Sequence, residues 1–292
     1  MRKKCLVFLI LFGFISSPAI ADDLLRINAD IRYRWEYEDN FNQKFYGKNS
    51  PKGDSSDSFL LQRIRLTLDF NPHKNVHISA GLQDSRAYGV ALPDDAFYNS
   101  RLRLENNPNK DYWEPFDTYL ELKNLFGQEL SLKGGRQIIA YGDKRIFGPG
   151  KWGNTGRYVW DAVKLSYRFG DNFADTFYGR NIIHEPDRFS LDHRHFFEGC
   201  AVYSHFLIPM QGRKFYLEPF WVKKWDHHHN FKSENLTFGD FGSDYYGLRT
   251  YAEILPGFDY DFTFVRQTGH WGYDDLDAYG YHLLAGYKFK TV

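Results

Sequence analysis

The chain has 292 residues, 37 basic and 37 acidic side chains, and is 19% aromatic, with 27 Phe, 21 Tyr and 7 Trp. Its balanced charge argues against a nucleic-acid binder and its wealth of ordered-structure formers against disorder. A mean hydropathy of −0.56, with no apolar run of about 18 residues after the N-terminus, argues against a helical membrane protein. Abundant Tyr, Phe and Gly beside only 2 Met point to β structure.

Residues 1–21 read as a secretory signal. Arg2, Lys3 and Lys4 form the basic start, residues 6–15 the apolar stretch, and Ala19-Ile20-Ala21 a small-x-small cleavage site. The predicted mature chain, 22–292, then holds 34 basic and 37 acidic residues, a net charge of −3, and Cys200 as its single cysteine. One cysteine makes no internal disulfide, so stability has another source.

Alternation begins at once. Leu25, Ile27, Ala29, Ile31, Tyr33, Trp35 and Tyr37 interleave with Arg26, Asn28, Asp30, Arg32, Arg34, Glu36 and Glu38. Side chains of a strand point to opposite faces with period 2, so this is a two-faced strand. It is longer than the ~5–6 residues usual in soluble proteins and sufficient for the ~9–11 that cross a bilayer. The same pattern predicts strands over 60–70, 76–83, 116–122, 163–169, 258–264 and 279–289. Weaker strands are predicted near 129–139, 172–182, 195–206, 213–225 and 244–254. Pro219 and the pair Gly134-Gly135 suggest bulges or an edge.

Short connections fall near 71–74, 124–128, 170–171, 208–212 and 256–257. Long ones span about 40–57, 84–112, 141–157, 183–194, 226–243 and 269–276. About twelve antiparallel strands, with short turns at one end and long loops at the other, are the layout of an outer-membrane β-barrel whose short turns are periplasmic. A soluble β-sandwich would share the periodicity, its apolar face being a core. Strand length, turn asymmetry and the secretion signal favour the barrel, in which the apolar face meets lipid and the polar face lines a lumen.

Parity points Arg32, Arg34, Arg63 and Arg65, on the first two strands, inward together, and turns Lys164, Arg168, Arg249 and Lys288 the same way. Asp30, Glu36, Glu38, Asp69 and Glu121 share those faces. Guanidinium groups in a narrow pore stabilise a passing carboxylate, bidentately where geometry allows. Charges paired across the strands into a solvated wall are the alternative for any one of them.

The most distinctive segment is Gly135-Arg136-Gln137-Ile138-Ile139-Ala140-Tyr141-Gly142-Asp143-Lys144-Arg145-Ile146-Phe147-Gly148, followed by Lys151-Trp152-Gly153-Asn154-Thr155-Gly156-Arg157 and Asp161. It resembles the signature of the alginate export porins, outer-membrane barrels of Gram-negative bacteria. The likeness extends to Arg32-Tyr33-Arg34-Trp35-Glu36, Gln62-Arg63-Ile64-Arg65-Leu66, Gln83-Asp84-Ser85-Arg86, Tyr119-Leu120-Glu121 and Gly247-Leu248-Arg249, and so covers most of the mature chain. The resemblance implies a passive conduit for an anionic polysaccharide such as a polyuronate, not an enzyme and without a cofactor, working with outer-membrane lipid and periplasmic export components. It adds Arg136, Arg145 and Arg157 to the inward arginines as candidates for the path, with Asp143, Asp161 and Glu121 as orienting acids. Arg136 shares the parity of Leu130 and Leu132, so a bulge at Gly134-Gly135 is needed to turn it inward. The family resembles barrels of about eighteen strands, and this chain shows about twelve. A fragment, a smaller closed barrel and a combination of chains all stay open, and with them a general small-solute or oligosaccharide porin as the second reading.

Asp226-His227-His228-His229 looks like a metal tract, but adjacent histidines in a loop rarely meet one ion, and no metal site is assigned. For a hydrolase, His77 and Ser79 share a face, as do Ser204 and Cys200, yet no motif sets either pair apart.

Overall fold

The computed structural model describes residues 24–38, 57–90, 98–99, 104–105, 107, 109–148, 154–155, 159–183, 188–189, 191, 195–210 and 212–289. The strands are β1 (Leu25–Glu38), β2 (Asp57–His73), β3 (Val76–Tyr88), β4 (Tyr98–Asn99), β5 (Leu104–Glu105), β6 (Asp111–Pro115), β7 (Thr118–Leu122), β8 (Leu130–Ile138), β9 (Val159–Phe169), β10 (Asn172–Ile182), β11 (His195–Met210), β12 (Arg213–Lys232), β13 (Phe238–Leu255), β14 (Phe258–Trp271) and β15 (Asp274–Tyr287). A 3-10 turn at Leu125–Gly127 is the one helical element among the described residues. One 13-stranded antiparallel sheet runs β1-β2-β3-β7-β8-β9-β10-β11-β12-β13-β14-β15, with β6 also paired to β3, and β4 and β5 form a separate hairpin. Because β6 and β7 are successive stretches along β3, the path has twelve crossings, as the sequence periodicity predicts. Its two ends, β1 and β15, are not paired with each other.

Side-chain burial is inverted relative to a soluble protein. Ile27 is 72% exposed and Tyr279 77%, together with Trp35, Val163, Tyr281 and Leu283, all on one face of the sheet. The opposite face buries Arg34, Gln83, Asp111, Glu114, Asp175 and Glu218. A sandwich would bury the first set and wet the second, so the fold is a lipid-facing barrel wall with a polar interior. Toward the end bearing the longer connections the outer face also turns polar. It carries the pairs Arg136–Asp161 (2.8 Å), Arg180–Glu198 (3.3 Å), Lys223–Asp244 (3.9 Å) and Arg266–Asp277 (3.1 Å).

Several local readings are corrected. The expected loops at 226–243 and 269–276 are mostly strand. β12 has 20 residues and β13 has 18, joined by residues 233–237, and β14 turns into β15 through Gly272-Tyr273. At ~3.3 Å per residue such strands overshoot a bilayer, and the polar histidine run continues the β12–β13 hairpin through a register shift between Asp226 and Phe231. No bulge forms at Gly134-Gly135, since β8 keeps register with both neighbours. Gly135 is instead required by contact, at φ +128 with a Cβ position 2.6 Å from the Thr118 carbonyl oxygen. Pro219 lies inside β12, paired with Leu248 on one side and interrupting the ladder to β11 on the other, where its missing N–H would have bonded. Phe116, expected on the lipid face, is buried in the lumen. The left-handed Asp117 (φ 49) separates β6 from β7 and resets the parity upstream.

Candidate functional site

The lumen is narrowed by residues 139–148, which follow β8 and fold inward rather than out. Ile139 and Phe147 join Trp160, Phe177, Tyr203, Phe220 and Val222 in the main apolar cluster, which therefore sits inside the barrel. Tyr141 stacks on Tyr203 at 4.4 Å, and Phe147 meets Tyr203, Phe220 and Phe177 edge-on. The segment is a tight hairpin. The Tyr141 N–H donates to the Phe147 carbonyl at 3.2 Å, and Gly142 (φ +57) and Gly148 (φ +129) supply conformations that side chains resist. The Tyr141 hydroxyl donates to Asp175 at 2.8 Å. Burial first, and the Asp175 charge second, hold this phenol well above the ordinary tyrosine range, so it stays protonated.

Farther along, the same connection is pinned to β1, β2 and β3. Asn154 and Thr155 are fully buried. The Asn154 amide donates to the carbonyls of Gln62, Arg86 and Asn109 at 3.1, 3.3 and 2.8 Å and accepts from Arg32 at 3.0 Å. Gln83 donates to the Thr155 carbonyl at 2.7 Å, and Ser85 to that of Asn154 at 3.1 Å. Backbone polar groups inside the barrel are thus met by wall side chains.

Around this connection stand the arginines. Arg32 and Arg63 are register partners and share a rung. Arg34 pairs with Glu36, and Arg63 with Asp30 at 3.4 Å. Arg65 bonds Gln83 at 2.7 Å and lies 3.9 Å over the Phe116 ring. Arg249 is clamped between Glu218 (2.8 Å) and Asp261 (2.6 and 2.9 Å). Gly247 leaves room for the Phe220 ring, whose Cζ lies 2.0 Å from where a Cβ would be. Asp143 accepts the backbone N–H of Arg145 at 3.1 Å, pairs with its guanidinium at 2.8 Å, and faces His282 of β15 at 3.6 Å.

Two sequence candidates, Arg136 and the orienting acid Asp161, sit on the outer face. With no bulge, Arg136 stays on the outer face, forking onto Asp161 at 2.8 and 3.0 Å, and His195 approaches the same carboxylate at 3.1 Å. Glu121 is inward but meets Lys123 at 3.9 Å, not an arginine. Arg157 lies outside the described residues, as does the predicted signal segment. Sequence reasoning missed Glu218, Asp175, Asn154 and Thr155 as organising groups. Asp261 was legible from the alternation of 258–264, whereas Glu218 was hidden in a strand whose faces Pro219 obscures. His227 and His229 approach Asp240 at 3.7 and 3.0 Å, and no metal-binding set occurs among the described residues.

A family model described as alginate export matches residues 23–292. A solved structure of similar shape is the high-pH structure of OprB from Pseudomonas putida, with TM-score 0.54 and 10% sequence identity, covering 91% of this chain and 72% of that one. No curated protein matches the sequence. The chain belongs to the alginate export family, and with this fold it is an outer-membrane channel.

Proposed function

We propose that this member of the alginate export family passes an anionic polysaccharide of the polyuronate type, taken from periplasmic export components and released across the outer membrane. The observation that carries the reading is the rung of Arg32 and Arg63, flanked by Arg34 and Arg65, beside a connection that narrows the lumen. Arginines converging on one constriction lower the energy of a carboxylate there and raise it for a cation. Arg249 and Arg145, each positioned by acids, extend the path, and Asp143 orients Arg145. Arg136 and Asp161 belong to the outer wall and are left out of it.

A second reading, a small-solute or oligosaccharide channel, is favoured by the inward connection itself, whose packing occupies lumen a polymer needs. Single-channel conductance with and without defined oligouronates separates the two. Block by oligouronate but not by neutral oligosaccharide supports polyuronate passage. Unblocked flux, or equal block by both, transfers support to the second reading.

A further inference from the structure

The outer face of the wall carries an ordered row of charges. Going outward along each strand from its lipid-facing apolar residues, the first charged side chain on β8 to β15 is Arg136, Asp161, Arg180, Glu198, Lys223, Asp244, Arg266 and Asp277 in turn. The sign alternates across all eight neighbouring strands. Arg136 stands opposite Asp161, Asp161 opposite Arg180, Arg180 opposite Glu198, and Lys223 opposite Asp244. Between Glu198 and Lys223 the row steps down by two residues, since their partners are Trp225 and Cys200. Directly beneath it lie Tyr178, Trp221, Tyr246 and Tyr279. The Tyr178 hydroxyl donates up to Glu198 at 2.8 Å, and the Trp221 indole N–H to Asp244 at 2.9 Å. Below these rings the exposed surface is Val163, Val202, Leu248, Phe264 and Leu283. Amphipathic rings mark the edge of the hydrocarbon, so the row stands at headgroup level on the side of the longer connections.

The cations of the row are open to different degrees. Arg136 keeps 7% of its side-chain surface and is committed to Asp161, whereas Arg180, Lys223 and Arg266 keep 52%, 47% and 59%. Arg180 holds Glu198 at 3.3 Å and Lys223 reaches Asp244 only at 3.9 Å. Arg266 grips Asp277 through Nε and Nη2 at 3.2 and 3.1 Å. Exposed pairs of this kind contribute little, so a stronger ligand can share or exchange them. Phosphate is such a ligand for guanidinium and ammonium groups. The row as a whole is neutral, however, and its acids repel a layer made only of anions. A layer of phosphates with divalent cations between them meets both signs. Each acid already has a cationic neighbour, so another monovalent cation gains little there. A divalent ion keeps a net charge after meeting the carboxylate and passes it to a phosphate oxygen. Neighbouring strands are about 4.8 Å apart, which sets like charges of the row roughly 10 Å apart. A rigid headgroup with two phosphates can span that distance as one molecule, and a headgroup with one phosphate cannot.

We infer that the row from β10 to β15 is a docking surface for a bis-phosphorylated glycolipid of the outer leaflet. Its phosphates lie on Arg180, Lys223 and Arg266, and divalent cations bridge them to Glu198, Asp244 and Asp277. The aromatic residues beneath receive the start of the acyl chains. Such a contact fixes the depth of the wall in the membrane. It lies on the side of the sheet away from the lumen and is independent of what the channel carries.

The test measures binding of bis-phosphorylated lipid A to the full chain in detergent by native mass spectrometry, with magnesium or with a chelator. The wild type with magnesium is expected to bind it about tenfold more tightly than its dephosphorylated form. Combined Arg180→Gln, Lys223→Gln and Arg266→Gln is expected to remove that tenfold preference, and Arg266→Gln alone to weaken binding about two- to threefold. Combined Glu198→Gln, Asp244→Asn and Asp277→Asn is expected to make affinity the same with magnesium and with chelator. Arg213→Gln with Lys214→Gln, at the short-turn end of β12, removes basic charge away from the row and is expected to leave binding unchanged. Equal affinity of the wild type for lipid A with and without its phosphates overturns the inference. So does equal affinity of the wild type and the triple cation variant, or of lipid A and phosphatidylethanolamine, which would leave the row as an ordinary contact with zwitterionic lipid.

Discussion

A lumenal arginine and its lipid-facing neighbour differ by one residue in sequence and by opposite environments in the fold. On β2, Arg63 and Arg65 point inward, whereas Leu66 and Leu68 are exposed on the outer face. Changing both arginines to Ala is expected to weaken oligouronate block while the protein keeps its heat-modifiable mobility on gels, because lumenal side chains tune selectivity. Leu66→Arg is expected to do the reverse, lowering folding stability in detergent or vesicles by about 2–4 kcal/mol if the site lies near the midplane. Equal folding damage from both would overturn the face assignment on this strand. Arg249 is a different case, since its removal takes away the fork on Asp261 and one of the three partners of Glu218, which keeps Tyr203 and His205. The parity that exposed Arg32, Arg34, Arg63 and Arg65 in the sequence was sound because β1 and β2 are regular over their paired length. It broke down at Phe116, where one left-handed residue, Asp117, shifts the phase, and nothing in the alternation announces a single positive φ.

At the scale of elements, strands were legible and connections were not. A strand reports itself through period 2, which every lipid-facing side chain must respect. A connection has no such period, so the stretch after β8 could be recognised by its glycines and aromatics but not assigned to the inside of the barrel. Its apolar residues Ile139 and Phe147 are the physical cue, because a loop standing in water has no reason to carry them, whereas one folded inward covers Trp160 and Phe220. Likewise the hairpins of β12–β13 and β14–β15 read as loops because strict apolar alternation stops in them, although Phe241 still packs on Trp271. Phe147→Ala removes the ring at the centre of the inward hairpin. Truncating a buried Phe costs about 3–5 kcal/mol, and Phe147 is the central apolar contact of this short hairpin, so the hairpin is expected to detach. Single-channel traces would then show higher conductance and added flicker with an unchanged far-ultraviolet spectrum. Conductance identical to wild type would mean that this segment does not bound the path.

The whole molecule sets two further expectations. The predicted mature chain carries a net charge of −3, yet the field at a constriction is governed by the groups that line it. The channel is therefore expected to favour anions, read as the sign of the reversal potential in a salt gradient; cation preference would show that Asp30, Glu36, Asp175 and Glu218 outweigh the basic wall. The second expectation follows from the ends of the sheet. β1 and β15 each have one hydrogen-bonded neighbour. In hydrocarbon every backbone N–H and C=O left without a partner costs several kcal/mol, so over a strand of 14 residues an open edge is far too unfavourable to persist in the bilayer. Each edge must meet another strand there, either the other edge or one supplied from elsewhere. The lumenal side chains at the seam favour the latter. Asp30 keeps more than half of its side-chain surface exposed, and Leu284, on the inner face of β15, is 53% exposed, as expected where the wall is not drawn together. Cysteine pairs at Ala29 and Leu283, in a Cys200→Ser background and oxidised in native membranes, are expected to give little intramolecular cross-link. A high yield within single chains would show that the twelve crossings close on themselves as a narrow barrel, and would shift the functional reading from a polymer to small solutes.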